Sequence, residues 1–141
     1  MSIFAIADLH LSFGVDKPMN IFGSNWENHA MKIKANWLEN ISDDDTILLP
    51  GDISWAMRFD EAQKDLDFIE NLPGKKVIIS GNHDYWWTSA SKLNSLFKTI
   101  YFLKNDFFAC GDIAICGTRG WICPNDISFE ANDKKIYERE L

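Results

Sequence analysis

Three stretches of this chain share one layout. "IFAIADLH" (3–10), "TILLPGDIS" (46–54) and "KKVIISGNHD" (75–84) each run as short apolar segments and then stop at Gly, Asn, His or Asp. A brief apolar run closed by turn residues reads as a strand buried on both faces. Between the first two lies "NWENHAMKIKANWLENI", where Trp26, Ala30, Ile33, Trp37 and Ile41 recur at helical spacing; between the second and third lies "FDEAQKDLDFIENLPG", whose Ala62, Leu66, Ile69 and Leu72 form a second apolar stripe ended by Pro73 and Gly74. Strand, helix, strand, helix, strand with right-handed crossovers predicts a parallel sheet, so all three strand ends point the same way. Asp8, His10, Asp52, Asn82 and His83 then meet beyond one sheet edge, where ligand sites of open α/β sheets lie.

Downstream, "TSASKLNSLF" predicts a short helix starting near Thr88, and "YFLKNDFFACGDIAICGTRGW" reads as antiparallel. Gly111-Asp112 supplies a two-residue hairpin turn. That register sets Cys110 opposite Ile113 and Cys116 opposite Phe107, with the two cysteines on opposite faces of the ribbon, a geometry that disfavours a disulfide. The tail "SFEANDKKIYEREL" reads as a polar helix.

The 141 residues, 46% of them hydrophobic, suit one compact domain. No segment reaches the roughly 20 apolar residues of a membrane span, and the first residues lack a signal-peptide pattern, so a cytoplasmic protein is expected. Cys110, Cys116 and Cys123 have no zinc-ribbon spacing and read as reduced structural thiols. A net charge of −7 argues against nonspecific nucleic-acid binding. Phosphorylated substrates stay open, because bound metal ions invert the local field.

Carboxylate, imidazole and amide oxygen together suit a borderline divalent ion such as Mn, Fe, Zn or Ni. Asp8 and His10 can reach one ion, and Asp52 is the natural bridge, since a carboxylate can join ions about 4 Å apart. Asn82 offers its carbonyl oxygen to the second ion. His83 reads as a general acid for the departing oxygen, and Asp84 as the group behind it that orients the imidazole or stabilises its charge. Gly51 and Gly81 fit places where backbone must approach the site closely. Trp55, Trp86 and Trp87 follow these motifs; core packing is their simpler role, and stacking on an aromatic leaving group is the alternative. His29, outside every motif, reads as helix surface or edge.

On "DLH" (8–10), "GDISW" (51–55) and "GNHD" (81–84), the sequence resembles the calcineurin-like metallophosphoesterase family. The resemblance implies an α/β/β/α sandwich of two packed sheets and a dinuclear centre: Asp8 and His10 on one metal, Asp52 bridging, Asn82 on the other and His83 as catalytic proton donor, with a metal-bound hydroxide attacking a phosphoester. The family's later His and its G-H-x-H element have no counterpart, the only histidines being His10, His29 and His83. Residues 1–141 therefore map to a single domain truncated at its C-terminal side, with some strands missing, a metal site that holds two ions, one or none, and an uncovered sheet edge that invites homo-oligomers. Ala56 stands where phosphoprotein phosphatases carry an Arg, which favours a small-molecule phosphomonoester or phosphodiester as substrate. Arg58 and Arg119 are the candidates for phosphate contact. The alternative is a noncatalytic fragment that binds metal weakly or serves as an oligomeric interaction module.

Overall fold

A computed structural model describes residues 1–141. Its centre is a four-stranded parallel sheet in the order β1 (Ile3–Ala5), β2 (Thr46–Leu49), β3 (Lys75–Ile78) and β4 (Ile100–Phe102). The register sets Ala5 beside Leu48, Leu48 beside Val77 and Val77 beside Tyr101. Three helices make the crossovers: α1 (His29–Asn40), α2 (Phe59–Glu70) and the short α3 (Ala90–Asn94). Strand order equal to chain order, with every crossover of one hand, lays these helices on one face.

Alternation along the strands assigns the two faces. Ile47, Leu49, Ile78, Ile100 and Phe102 join Trp37, Leu66, Ile69 and Leu93 of the helices in one core of 17 buried residues. The opposite face meets an antiparallel ribbon of β5 (Asp106–Cys110) and β6 (Ile113–Gly117). There Thr46 Oγ1 lies 3.3 Å from Cys110 Sγ, and the Tyr101 and Phe108 rings are 5.3 Å apart. The ribbon turns at Gly111-Asp112 with Cys110 opposite Ile113 and Phe107 opposite Cys116, as the spacing predicts. All three cysteines are free, Cys110 buried and Cys116 and Cys123 exposed. The chain ends in α4 (Ala131–Glu140). This is the mixed α/β layering expected of a metallophosphoesterase-like sandwich, with a two-stranded second sheet.

Three details differ from the sequence expectation. Trp26 belongs to a 3₁₀ turn at Ser24–Trp26 and not to α1, which starts at His29 after Asn28 in a left-handed conformation (φ 52°). "IYF" forms a fourth parallel strand instead of opening the antiparallel region. It is only three residues long, and the chain reverses at Asn105 (φ 52°) straight into the ribbon, so no gap in the sequence separates the two patterns. The third helix begins at Ala90, because Ser89 accepts a hydrogen bond from Lys92 N (3.2 Å) and caps it. β1 is an edge strand, exposed along its length, beside a groove of about 610 Å³ whose walls include Phe4, Ile6, Ile33 and Ile41. No helix is long and apolar enough to cross a membrane.

Candidate metal centre

The three motif loops leave the C-terminal ends of β1, β2 and β3 and remain tied together after the sheet ends. Asp8 N donates to Gly51 O (3.2 Å), His10 N to Asp52 O (3.0 Å), Leu11 N to Ile53 O (2.9 Å) and Trp55 N to Leu11 O (2.9 Å). These bonds continue the parallel pairing of β1 and β2 through "DLHL" and "GDISW". Gly51 (φ 95°) and Gly81 make the crossing of the second and third loops feasible: a Cβ on Gly51 would lie 2.6 Å from Gly81 Cα, and one on Gly81 would overlap Asp52. Only glycine fits either place.

Asp84 pins the third loop to the second. Its Oδ1 accepts from Ile53 N (2.9 Å), Ser54 N (3.3 Å) and Trp86 Nε1 (2.9 Å), and its Oδ2 from Gly81 N (2.8 Å). Asp84 makes no hydrogen bond to the His83 ring, since its oxygens accept from backbone and indole donors. The carboxylate that orients His83 is Asp52, whose Oδ2 accepts from His83 Nδ1 (2.7 Å) and whose Oδ1 accepts from His83 N (3.0 Å). Sequence places Asp84 next to His83 and Asp52 31 residues away; which one reaches the ring depends on how the loops fold together.

His10, Asp52 and His83 bring ligand atoms within 4.8 Å of one another. His10 Nε2 stands 3.9 Å from Asp52 Oδ2 and 3.9 Å from Asp8 Oδ1. Its Nδ1 is buried without a hydrogen-bond partner. An imidazole facing two carboxylates across gaps too long for hydrogen bonds, with its other nitrogen unsatisfied, fits a divalent cation. Burial pushes the His10 imidazole below its ordinary pKa, against the opposing pull of Asp52 and Asp8, and so favours the neutral form that ligates. For Asp52, burial pushes the carboxyl up, but the hydrogen bonds and charge of His83 outweigh it and hold the group ionised below the usual carboxylate range. Burial raises Asp84 despite its four donors.

The remaining sequence candidates separate clearly. Asp8 is exposed at the rim and Asn82 is exposed beside His83, its Nδ2 3.3 Å from His83 Nδ1. Trp55 stacks on His10 with ring centroids 4.5 Å apart and lies 5.1 Å from His83, so it walls the site. Trp86 packs in the core, and Trp87 lies against it. Arg58 is exposed and gives Nε and Nη2 to Asp60 at 3.0 and 2.8 Å, away from the site. Arg119 lines a cavity that also contains Asn82. His29, half-buried at the start of α1, has Nε2 3.1 Å from Leu9 O and so holds the "DLH" loop, a firmer role than helix edge.

One support escaped the sequence reading. Asp65 of α2, fully buried, accepts from Phe13 N (2.7 Å) and from Ser54 Oγ, joining the ends of the first two loops. An acid set between Ala62 and Ile69 on the apolar stripe is the signal that could have found it.

The calcineurin-like phosphoesterase family profile matches residues 1–140. No curated protein matches the chain significantly. Among solved structures, the crystal structure of a protein of unknown function, AQ665 from Aquifex aeolicus, superposes with a TM-score of 0.53 at 20% identity, covering 99% of this chain and 72% of that one. That likeness carries the fold. The profile match over nearly every residue, laid on three motif loops that meet at the sheet edge, makes this chain a member of the calcineurin-like phosphoesterase family.

Proposed function

We propose that the chain hydrolyses a small-molecule phosphomonoester or phosphodiester at a dinuclear metal centre. Asp8 and His10 would hold one divalent ion, Asn82 the other, and Asp52 both; Mn, Fe, Zn and Ni suit this donor set. Bound there, the ions would activate water and neutralise phosphoryl oxygens. The supporting observation is the convergence of His10 Nε2 on the Asp8 and Asp52 carboxylates, 3.9 Å from each, with no hydrogen bond between them.

The chain's own residues supply the rest. Asp52 fixes the His83 ring through Nδ1, which leaves Nε2 to deliver a proton to the departing oxygen. Trp55 covers one side of His10 and limits water there. Position 56 is a fully buried alanine and Arg58 of the same loop is held by Asp60, which supports a small-molecule substrate over a phosphoprotein. Three free cysteines agree with a reducing, cytoplasmic setting.

The exposure of Asp8 and Asn82 favours a second reading, a noncatalytic chain holding one ion weakly or none. One experiment separates the two. Mn²⁺ is added to metal-free protein, and p-nitrophenyl phosphate and bis(p-nitrophenyl) phosphate are assayed with wild type, Asp52→Asn and His83→Ala. The hydrolase reading expects turnover that each substitution lowers by about a hundredfold or more. Equal rates in all three proteins would rule it out.

A further inference from the structure

Beside the metal centre, on the Asn82 side, lies a cavity of about 360 Å³ in which three cationic side chains, Lys104, Arg119 and Arg139, face a wall that includes Trp87 and Thr88. Its position is unusual for a chain of net charge −7. The cations are not equivalent. Arg139 is already held by Glu140, with Nε and Nη2 at 3.0 and 2.8 Å from Oε1. Arg119 and Lys104 take part in none of the protein's ion pairs. The Arg119 guanidinium lies over the Trp121 ring at 4.5 Å, which fixes its plane, and its Nε is buried without an acceptor. Trp87 Nε1, on the same cavity, is also buried without an acceptor. Asp84 also lines the cavity but forms an ion pair with neither Arg119 nor Lys104, its oxygens accepting instead from Gly81, Ile53, Ser54 and Trp86.

Two desolvated donors without acceptors, Arg119 Nε and Trp87 Nε1, are costly for a folded chain, and an entering anion relieves that cost, with the exposed Lys104 adding a further positive charge. The cavity shares Asn82 and Asp84 with the "GNHD" loop, so one ligand can set a phosphoryl group at the metal centre and a second group here. We infer that the cavity binds a second anionic group of the substrate, a phosphate or a carboxylate, held by Arg119 and Lys104. This deepens the proposed hydrolase function and rests on it for the word substrate: the preferred phosphoester carries an anionic group on the part that departs. A volume near the lower end of ligand pockets suits a short group.

The test needs neither metal nor turnover. Inorganic pyrophosphate and phosphoglycolate are titrated by calorimetry into the full chain in the presence of a chelator. At least one is expected to bind, with affinity reduced about tenfold or more in Arg119→Gln and in Lys104→Ala, partly restored in Arg119→Lys, and unchanged in Arg58→Gln, which removes a cation elsewhere. Unfolding transitions of the variants at the wild-type temperature exclude loss of fold. Tighter pyrophosphate assigns the second group as phosphate; tighter phosphoglycolate assigns it as carboxylate. Binding of neither probe, or binding that both Arg119→Gln and Lys104→Ala leave intact, overturns the inference. A chain that binds the probes but never hydrolyses a phosphoester would instead overturn the hydrolase reading and leave the anion site standing.

Discussion

Asp8 (φ 57°), His10 (φ 44°) and Asp52 (φ 52°) all occupy the left-handed region, where a residue with a Cβ costs about 1–2 kcal/mol. Three such residues persist at one site only because their neighbours over-determine them. Asp84 supplies much of that constraint. Removing its carboxylate in Asp84→Ala would strand three backbone donors and an indole N–H. We expect a loss of about 3 kcal/mol or more in stability by denaturant unfolding. If Asp84 merely oriented His83, as its neighbouring position suggests, the variant would keep wild-type stability and lose activity alone.

At the level of elements, buried polar groups make two joints sensitive to pH. Lys76 of β3 is wholly buried and reaches the Glu70 and Leu72 carbonyls at the end of α2 and Thr99 Oγ1 before β4. Burial lowers its pKa from 10.5 to about 8, against the smaller upward pull of Glu70 and Asp43. The unfolded chain therefore binds this proton more tightly between those values, so stability contributed by this site rises as pH increases from about 8 to 10.5. Lys76→Met should flatten that rise, seen as a difference between the two pH–stability curves. Asp45, just before β2, works in the opposite range. Its carboxylate accepts from Ser42 Oγ (2.7 Å), Ser42 N (2.9 Å) and Ser2 N (2.6 Å), which ties the start of β1 to the turn before β2. The Ser42 side-chain bond, then those from the Ser42 and Ser2 backbones, lower its pKa from 3.8 to about 2. Its contribution is complete above 3.8 and lost as pH falls through about 2; Asp45→Asn should lower stability at neutral pH and remove that part of the acid transition.

These elements also mark how far the sequence was legible. Period and turn chemistry located β2, β3, α2 and the β5–β6 register, because each depends on neighbours within a few residues. β4 is hidden because its three residues run almost directly into the antiparallel ribbon, with no motif like the "DLH" that marks the equally short β1. Lys76 and Asp65 were missed for another reason: each polar group sits at an apolar position, and its burial depends on partners 23 and 52 residues away. At the metal centre the motif residues were legible as a set. The division of labour between Asp52 and Asp84 was not, because it depends on how the "GNHD" loop folds back over Gly51.

Over the whole molecule, packing is unequal. The core of 17 residues fills the space between the sheet and α1–α3, while β1 forms an exposed edge. The candidate centre lies where β2 and β3 leave that core, and Asp52, buried at its middle, touches His83 and faces His10. The proposed function separates two roles within this one cluster of ligand atoms: His10 and Asp52 would hold metal, and His83 would move a proton. Calorimetric titration of Mn²⁺ into the metal-free chain tests that division most directly. The account predicts binding by wild type, nearly the same affinity in His83→Ala, and affinity weakened about a hundredfold or more in Asp52→Asn. Wild-type affinity in Asp52→Asn, or loss of binding in His83→Ala, would contradict it.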